Sequence, residues 1–217
     1  MKILAINGSP RKNNNTVKLL NKAIEGATAN GRHEAETIHL YDLTYKGCTS
    51  CFACKLKDGP SYGKCGYKDE LLPVLEKALA ADVLLLGSPI YFEQVTGEMR
   101  SFLERLLFSV LIYNENYSSL LTKKIQVGFI YSMNVNQEFM QEAGYLQGLK
   151  FAENDIKRLL GHCESLAVND TYQFNDYNRY VVTVFKEEHK AKVRAEQFPL
   201  DLEKAYQLGL RLSAVKA

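Results

Sequence analysis

The chain lacks any apolar run approaching the ~20 residues that a membrane-spanning helix needs, so no membrane partner is expected. It also lacks a block of one charge sign. Lys and Arg total 27 against 25 Asp and Glu, a formal net charge of +2, which argues against nucleic acid as the main partner. No internal repeat and no low-complexity linker breaks the 217 residues, so they read as one α/β unit with a substantial core. The histidines (His33, His39, His162 and His189) show no metal-ligand spacing and read as surface or satisfied side chains. No Ser–His–acid arrangement is legible, and no catalytic side chain is assigned. The strand expected at residues 2–7 leaves no room for a signal peptide, so a cytoplasmic location is expected. In that compartment cysteines point to metal, redox or core roles rather than structural disulfides.

What is present begins at the N-terminus. The apolar run Ile3-Leu4-Ala5-Ile6 reads as a strand buried on both faces. It empties into Gly8-Ser9-Pro10-Arg11-Lys12-Asn13-Asn14-Asn15-Thr16. An amphipathic helix follows from about Thr16, with Val17, Leu20, Ile24 and Ala27 on one face. A loop of hydroxyl and amide residues opening a helix is a phosphate cradle, because free N–H groups and the positive helix end converge there. Ser9, Arg11, Asn13, Asn15 and Thr16 are its candidate donors.

Downstream, strands are expected at 36–41, 82–87, 124–131 and 165–168. Helices are expected over 69–81, with Asp69 as cap and Pro73 in the first turn, over 97–113, capped by Thr96, and over 137–160. Strands alternating with helices predict a doubly wound parallel sheet, whose ligands sit beyond the C-terminal strand ends. Three loops lie there: 8–16, 88–95 and 132–137. Residues 172–217 read as a C-terminal extension. Its aromatic-rich start (Tyr172, Phe174, Tyr177, Tyr180, Phe185) belongs either to intrachain packing or to a subunit interface.

Several phosphate ligands can be set aside. No Gly-Lys follows Gly8, as a nucleoside triphosphatase loop requires, and a single glycine does not make a dinucleotide turn. A cysteine-based phosphatase would need its nucleophile in this loop, but the first cysteine is Cys48. A phosphoacceptor receiver needs acidic residues where the first strand ends in Asn7. A mononucleotide with one phosphate remains, and FMN fits. Pro89, Ile90, Tyr91 and Phe92 offer backbone donors and aromatic faces for a flat amphipathic ring, and Ser132, Met133 and Asn134 would close its other side.

These three motifs, in this order, resemble the flavodoxin-like NADPH-dependent FMN reductase and iron–sulfur flavoprotein family, over roughly residues 1–170. Asp69-Glu70 occupies the place of that family's acidic pair. The resemblance implies a flavodoxin-like five-stranded sheet of order 2-1-3-4-5 with helices on both faces. It also implies bound FMN, NAD(P)H as co-substrate, and dimers or tetramers. The expected activity is electron transfer to a quinone, free flavin or similar small acceptor. An electron carrier serving ferredoxin-like partners and a non-enzymatic flavin-binding sensor are the alternatives.

Cys48-x2-Cys51-x2-Cys54 followed by Cys65 has the ferredoxin type of spacing for a [4Fe–4S] cluster. On a helix, about 100° per residue would place the first three thiols on one side. Ten residues separate Cys54 from Cys65, which makes Cys65 the doubtful ligand, although the turn residues of that insert allow it to fold back. A cluster, zinc and free or redox-active thiols all remain open. Cys163 stands apart and reads as a small buried hydrophobe.

Overall fold

A computed structural model describes residues 1–31 and 33–214. Strand β1 (Lys2–Asn7) lies beside the edge strand β2 (Glu34–His39) on one flank and β3 (Val83–Tyr91) on the other. Strands β5 (Ile125–Ser132) and β6 (Gly161–Val168) continue the sheet, all in parallel. The order is β2-β1-β3-β5-β6, with the two-residue β4 (Gln94–Val95) folded back antiparallel on β3. Setting β4 aside, this is the 2-1-3-4-5 order implied by the resemblance. The sheet has a sixth strand because β3 runs past its expected end at Gly87.

That extension changes the second ligand loop. Ser88, Pro89, Ile90 and Tyr91 are not loop residues but the last part of β3, and the turn is confined to Phe92 and Glu93. Both turn residues are left-handed, with φ of 48° and 67°. Two positive-φ residues form the hairpin turn that suits the sheet's twist, at a steric cost for side chains other than glycine.

Helices cover both faces. On one lie α2 (Leu72–Ala80), α3 (Gly97–Val110) and α5 (Tyr145–Leu160), whose apolar residues meet Leu84, Leu86, Val127 and Phe129 of the sheet. The other carries α1 (Asn15–Thr28) and α7 (Phe198–Ala214), packed on Ile3, Ala5, Val83 and Leu85. Leu19 and Ala23 join the buried face of α1, whereas Ile24 is only half-buried. Helix α7 belongs to the core: Ala205, Leu208 and Leu212 are buried. Two glycines allow its approach, since a Cβ on Gly26 would lie 1.9 Å from Tyr206 O and one on Gly209 would lie 1.8 Å from Ala23 O.

Other boundaries shift for local reasons. The helix expected over 137–160 is broken into α4 (Gln137–Glu142) and α5 by Gly144, whose φ is +75°. Helix α3 stops at Val110, and residues 111–120 turn back in an Ile112–Ser118 backbone bond and a Leu111–Ser119 bridge. Thr96 caps α3 as expected, accepting from Met99 N at 3.3 Å. Asp69 bonds Leu71 N at 3.1 Å, one turn ahead of the first residue of α2, and Pro73 sits in that helix's first turn.

Candidate functional site

The three ligand loops meet at the C-terminal edge of the sheet. Gly8 N donates to Gly87 O at 2.8 Å, and Thr96 Oγ1 donates to Gly8 O at 2.8 Å. A Cβ at Gly8 would press on Met99 at 3.0 Å and on Gly87 O at 3.2 Å. Glycine is therefore required for the loop to lie this close to β3 and α3. Ser9 is buried and braces the turn from inside, accepting from Arg11 N at 3.2 Å while its own N–H donates to Asn7 Oδ1 at 3.0 Å.

Thr16 is also buried, and its hydroxyl lies 2.8 Å from that of Ser132. This contact brings the first and third loops together across the edge. The helix above is open: Asn14 caps α1 without a side-chain bond, unlike Thr96 and Asn136 on α3 and α4. The first-turn N–H groups of a helix have no intrahelical acceptor, so an anion at this end would be met by several donors. Asn13 is exposed beside it, as an available amide.

Two candidate donors are partly committed elsewhere. Arg11 Nη1 donates to Gln173 O at 2.7 Å, and Asn15 Nδ2 donates to Tyr172 O at 3.0 Å. Asn134 Nδ2 likewise donates to Gln173 Oε1 at 2.7 Å. Residues 172–173 therefore strap the first loop to the third. The aromatic segment behind them packs within the chain: Tyr177 is buried against Tyr172 and Phe174, and Phe174 stacks on Tyr180 at 4.2 Å. Gln173 had no signal in the sequence, because nothing local to it marks a partner so far from it along the chain.

On the third loop Met133 is buried and Asn134 Oδ1 is buried without a partner. An unpartnered amide oxygen beside apolar cover fits the polar edge of a flat ring. Of the second-loop residues, Pro89 and Ile90 are half-buried, Tyr91 is exposed, and Phe92 is fully exposed at the hairpin tip. The third loop is supported from below by a buried ion pair. Lys190 of α6 (Glu187–Glu196) donates to Asp170 Oδ1 and to Asn134 O, and His189 Nε2 lies 2.5 Å from Asp170 Oδ2. Burial opposes ionisation of Asp170, but the bonds to Lys190 and His189 outweigh it and hold the carboxyl below its usual range.

The cysteine segment forms a second centre. Cys48, Cys51, Cys54 and Cys65 line one small cavity of about 20 Å³, together with Phe52, Tyr67, Arg105 and Phe108. The thiols do not converge on a helix as the spacing allowed. The chain turns through left-handed Ser50 and Phe52, at φ of 53° and 56°, into a short 3-10 turn at Ala53–Lys55. The long insert folds back through successive turns, with Gly59 N to Leu56 O, Lys64 N to Ser61 O and Gly63 N to Cys54 O at 3.0, 2.9 and 3.1 Å. Cys65 is thereby returned to the other three.

Among the described residues, no group of His, Cys, Asp or Glu side chains is placed to hold a metal ion as the side chains stand. The chemistry of the donor set nevertheless fits an iron–sulfur cluster: soft thiols around one cavity, with the Arg105 guanidinium at its wall. Lys55 Nζ donates to Phe108 O and, at 2.5 Å, to Leu111 O, which fixes its charge at the end of α3. Burial lowers the proton affinity of Lys55 and raises that of Cys54, whose thiol is shielded while Cys48 and Cys51 are exposed. Cys163 is remote, and burial followed by the Glu153 charge pushes its thiol up to about 12.

Over 105 residues the chain is 47% identical to an iron-sulfur flavoprotein of Archaeoglobus fulgidus, covering 48% of each chain. It is 35% identical over 105 residues to an iron-sulfur flavoprotein of Methanocaldococcus jannaschii, covering 48% of this chain and 51% of that one. The chain spans about half the length of the curated relatives it matches. In fold it is similar to an NAD(P)H:quinone oxidoreductase from Methanothermobacter marburgensis, with a TM-score of 0.70, 14% identity and 98% of each chain covered. An FMN-dependent NADH-azoreductase of Bacillus anthracis, solved with FMN, superposes with a TM-score of 0.64 at 11% identity, over 98% of this chain and 100% of that one. The family model for NADPH-dependent FMN reductases matches residues 1–139, and on that match the chain belongs to the NADPH-dependent FMN reductase family.

Proposed function

We propose that the chain is an FMN-dependent oxidoreductase passing electrons from NAD(P)H to a quinone, free flavin or similar small acceptor. The observation that carries this reading is the open N-terminus of α1 facing the Gly8–Thr16 loop at the sheet edge. FMN held there would supply two-electron redox chemistry between the nicotinamide and the acceptor. The residues bind and orient. Thr16, Asn13 and the first-turn N–H groups hold the phosphate, with Ser9 bracing the loop and Arg11 and Asn15 bridging it to residues 172–173. Pro89, Ile90, Tyr91 and Phe92 flank the ring on one side, while Ser132, Met133 and Asn134 flank it on the other. No side chain is needed as acid or base in a hydride step. Titration of the purified protein with FMN tests the reading: a yellow one-to-one complex that oxidises NAD(P)H is expected, and a protein that refuses FMN defeats it.

A second reading is favoured by the four thiols lining one cavity. Cys48, Cys51, Cys54 and Cys65 would hold a [4Fe–4S] cluster, and electrons from the flavin would leave through it to a ferredoxin-like partner. Anaerobic reconstitution followed by iron and sulfide analysis separates the two, because a wild-type protein without iron removes the second and leaves the first.

The family match supports the first reading, and the names of the iron-sulfur flavoprotein relatives lend weaker support to the second. Assembly as a homodimer or homotetramer is part of the proposal, supported by exposed Phe92, Tyr113, Tyr117 and Phe151. Among the described residues no helix is long and apolar enough to cross a membrane. The free cysteines support a reducing compartment such as the cytoplasm.

A further inference from the structure

Helix α3 buries an arginine where its pattern calls for an apolar residue. Arg105 lies among Phe102, Leu103 and Leu106, and its side chain is 1% exposed. A guanidinium removed from water must find acceptors for its fork of N–H donors. Here Nε donates to Cys65 Sγ at 3.3 Å, Nη1 to Lys46 O at 3.1 Å and to Asp69 Oδ2 at 2.5 Å, and Nη2 to Tyr67 O at 2.9 Å. The Tyr67 ring lies against the same group at 5.4 Å.

The partners are not scattered. Lys46 precedes Cys48 by two positions, while Tyr67 and Asp69 follow Cys65 by two and four. One rigid fork on α3 therefore grips both ends of the cysteine segment and also touches the sulfur of its last thiol. The insert folds back through its own turns, but those turns do not fix where Cys65 points. Arg105 does, and Asp69 balances its charge.

We propose that Arg105 is the positioning residue that sets Cys65 as the fourth thiol of the cluster site and bonds its sulfur there. This rests on the iron–sulfur reading above. An N–H donor and a positive charge at a ligating sulfur stabilise the form carrying the extra electron, so Arg105 also raises the reduction potential of the site. Lysine cannot replace it: a point charge with a single nitrogen does not span four acceptors.

The test uses anaerobically reconstituted wild type, Arg105→Lys, Arg105→Gln and Cys65→Ser. Wild type is expected to hold about four iron and four sulfide per chain. Both Arg105 variants are expected to lose iron to a chelator about tenfold faster or more, toward the rate of Cys65→Ser. The cluster they retain is expected at a more negative potential, with bound FMN unchanged. Pulsed electron paramagnetic resonance of reduced wild type grown with Nε-labelled [15N]arginine needs no variant, and a nitrogen coupling from Nε is expected. Variants equal to wild type in chelator rate and potential overturn the inference, as does a missing coupling, while the cluster reading stands. A wild type that takes up no iron overturns both.

Discussion

The Thr16 and Ser132 hydroxyls lie 2.8 Å apart, buried where the first turn of α1 meets the end of β5. One of the two donates to the other, which leaves a lone pair and a proton for a third group. An anion at the α1 N-terminus would complete the set.

Thr16→Val removes that hydroxyl at nearly constant volume. A hydrogen bond to a charged group is worth about 1.5–3 kcal/mol, so FMN affinity is expected to fall at least roughly tenfold. Fluorescence titration of the flavin checks this. An unchanged affinity would place the phosphate elsewhere. Ser9→Ala is expected to act the same way but indirectly, because Ser9 Oγ is already engaged with the Arg11 backbone.

Gly26→Ala and Gly209→Ala each force a methyl into the backbone of the facing helix, at 1.9 and 1.8 Å. Neither neighbour is a flexible side-chain end, so α1 and α7 must separate. The expected loss is about 1–3 kcal/mol or more of unfolding free energy, read from the urea midpoint. The opposite control is Gly97→Ala, where a Cβ meets nothing within 4 Å. Its stability is expected to hold or rise slightly, since alanine is the better helix former.

The Asp170–Lys190 pair makes stability depend on acid. The carboxyl is depressed in the folded chain, so its contribution is complete above the unfolded value near 3.9 and fades as pH falls through the lower folded value. Asp170→Asn is expected to be less stable than wild type at neutral pH by about 3–5 kcal/mol, because Lys190 is left charged and buried. Its stability should then vary less between about pH 5 and pH 2. Denaturation midpoints measured across that range decide it.

Thiol alkylation separates the cysteines. In reduced, metal-free protein at about pH 8, exposed Cys48 and Cys51 are expected to react with iodoacetamide first. Cys163, with its thiol pushed up to about 12, should be modified only on unfolding. Peptide mass mapping over time reads the order, and early labelling of Cys163 would contradict its raised thiol pKa.

Much of this was legible in the sequence because it is local. The run Lys2–Asn7, the Thr96 cap and the helix after the Gly8 loop are set by neighbours within a few positions. The second ligand loop differs from the sequence expectation because β3 continues past Gly87, where its pairing with β1 ends, beside β5 to Pro89 and then beside β4. The cysteine spacing singled out the four thiols that line one cavity but not their geometry, since left-handed Ser50 and Phe52 turn the segment without a helix. Arg105 carried a signal that went unused: a lone arginine on an apolar helix face. The strap at Tyr172–Gln173 and the Lys190 brace join residues far apart along the chain, and no periodicity encodes such partners.

The tight seam between α1 and α7 has a consequence for synthesis. The Gly8–Thr16 loop emerges from the ribosome well before α7, and the face of α1 behind it stays wet until residues 198–214 have been made. Before then the first β–α unit has no counterpart to dry it and little to hold the loop in shape. Helix α7 is thus the keystone of α1, and the Gly8–Thr16 loop is expected to take its shape only once residues 198–214 have emerged.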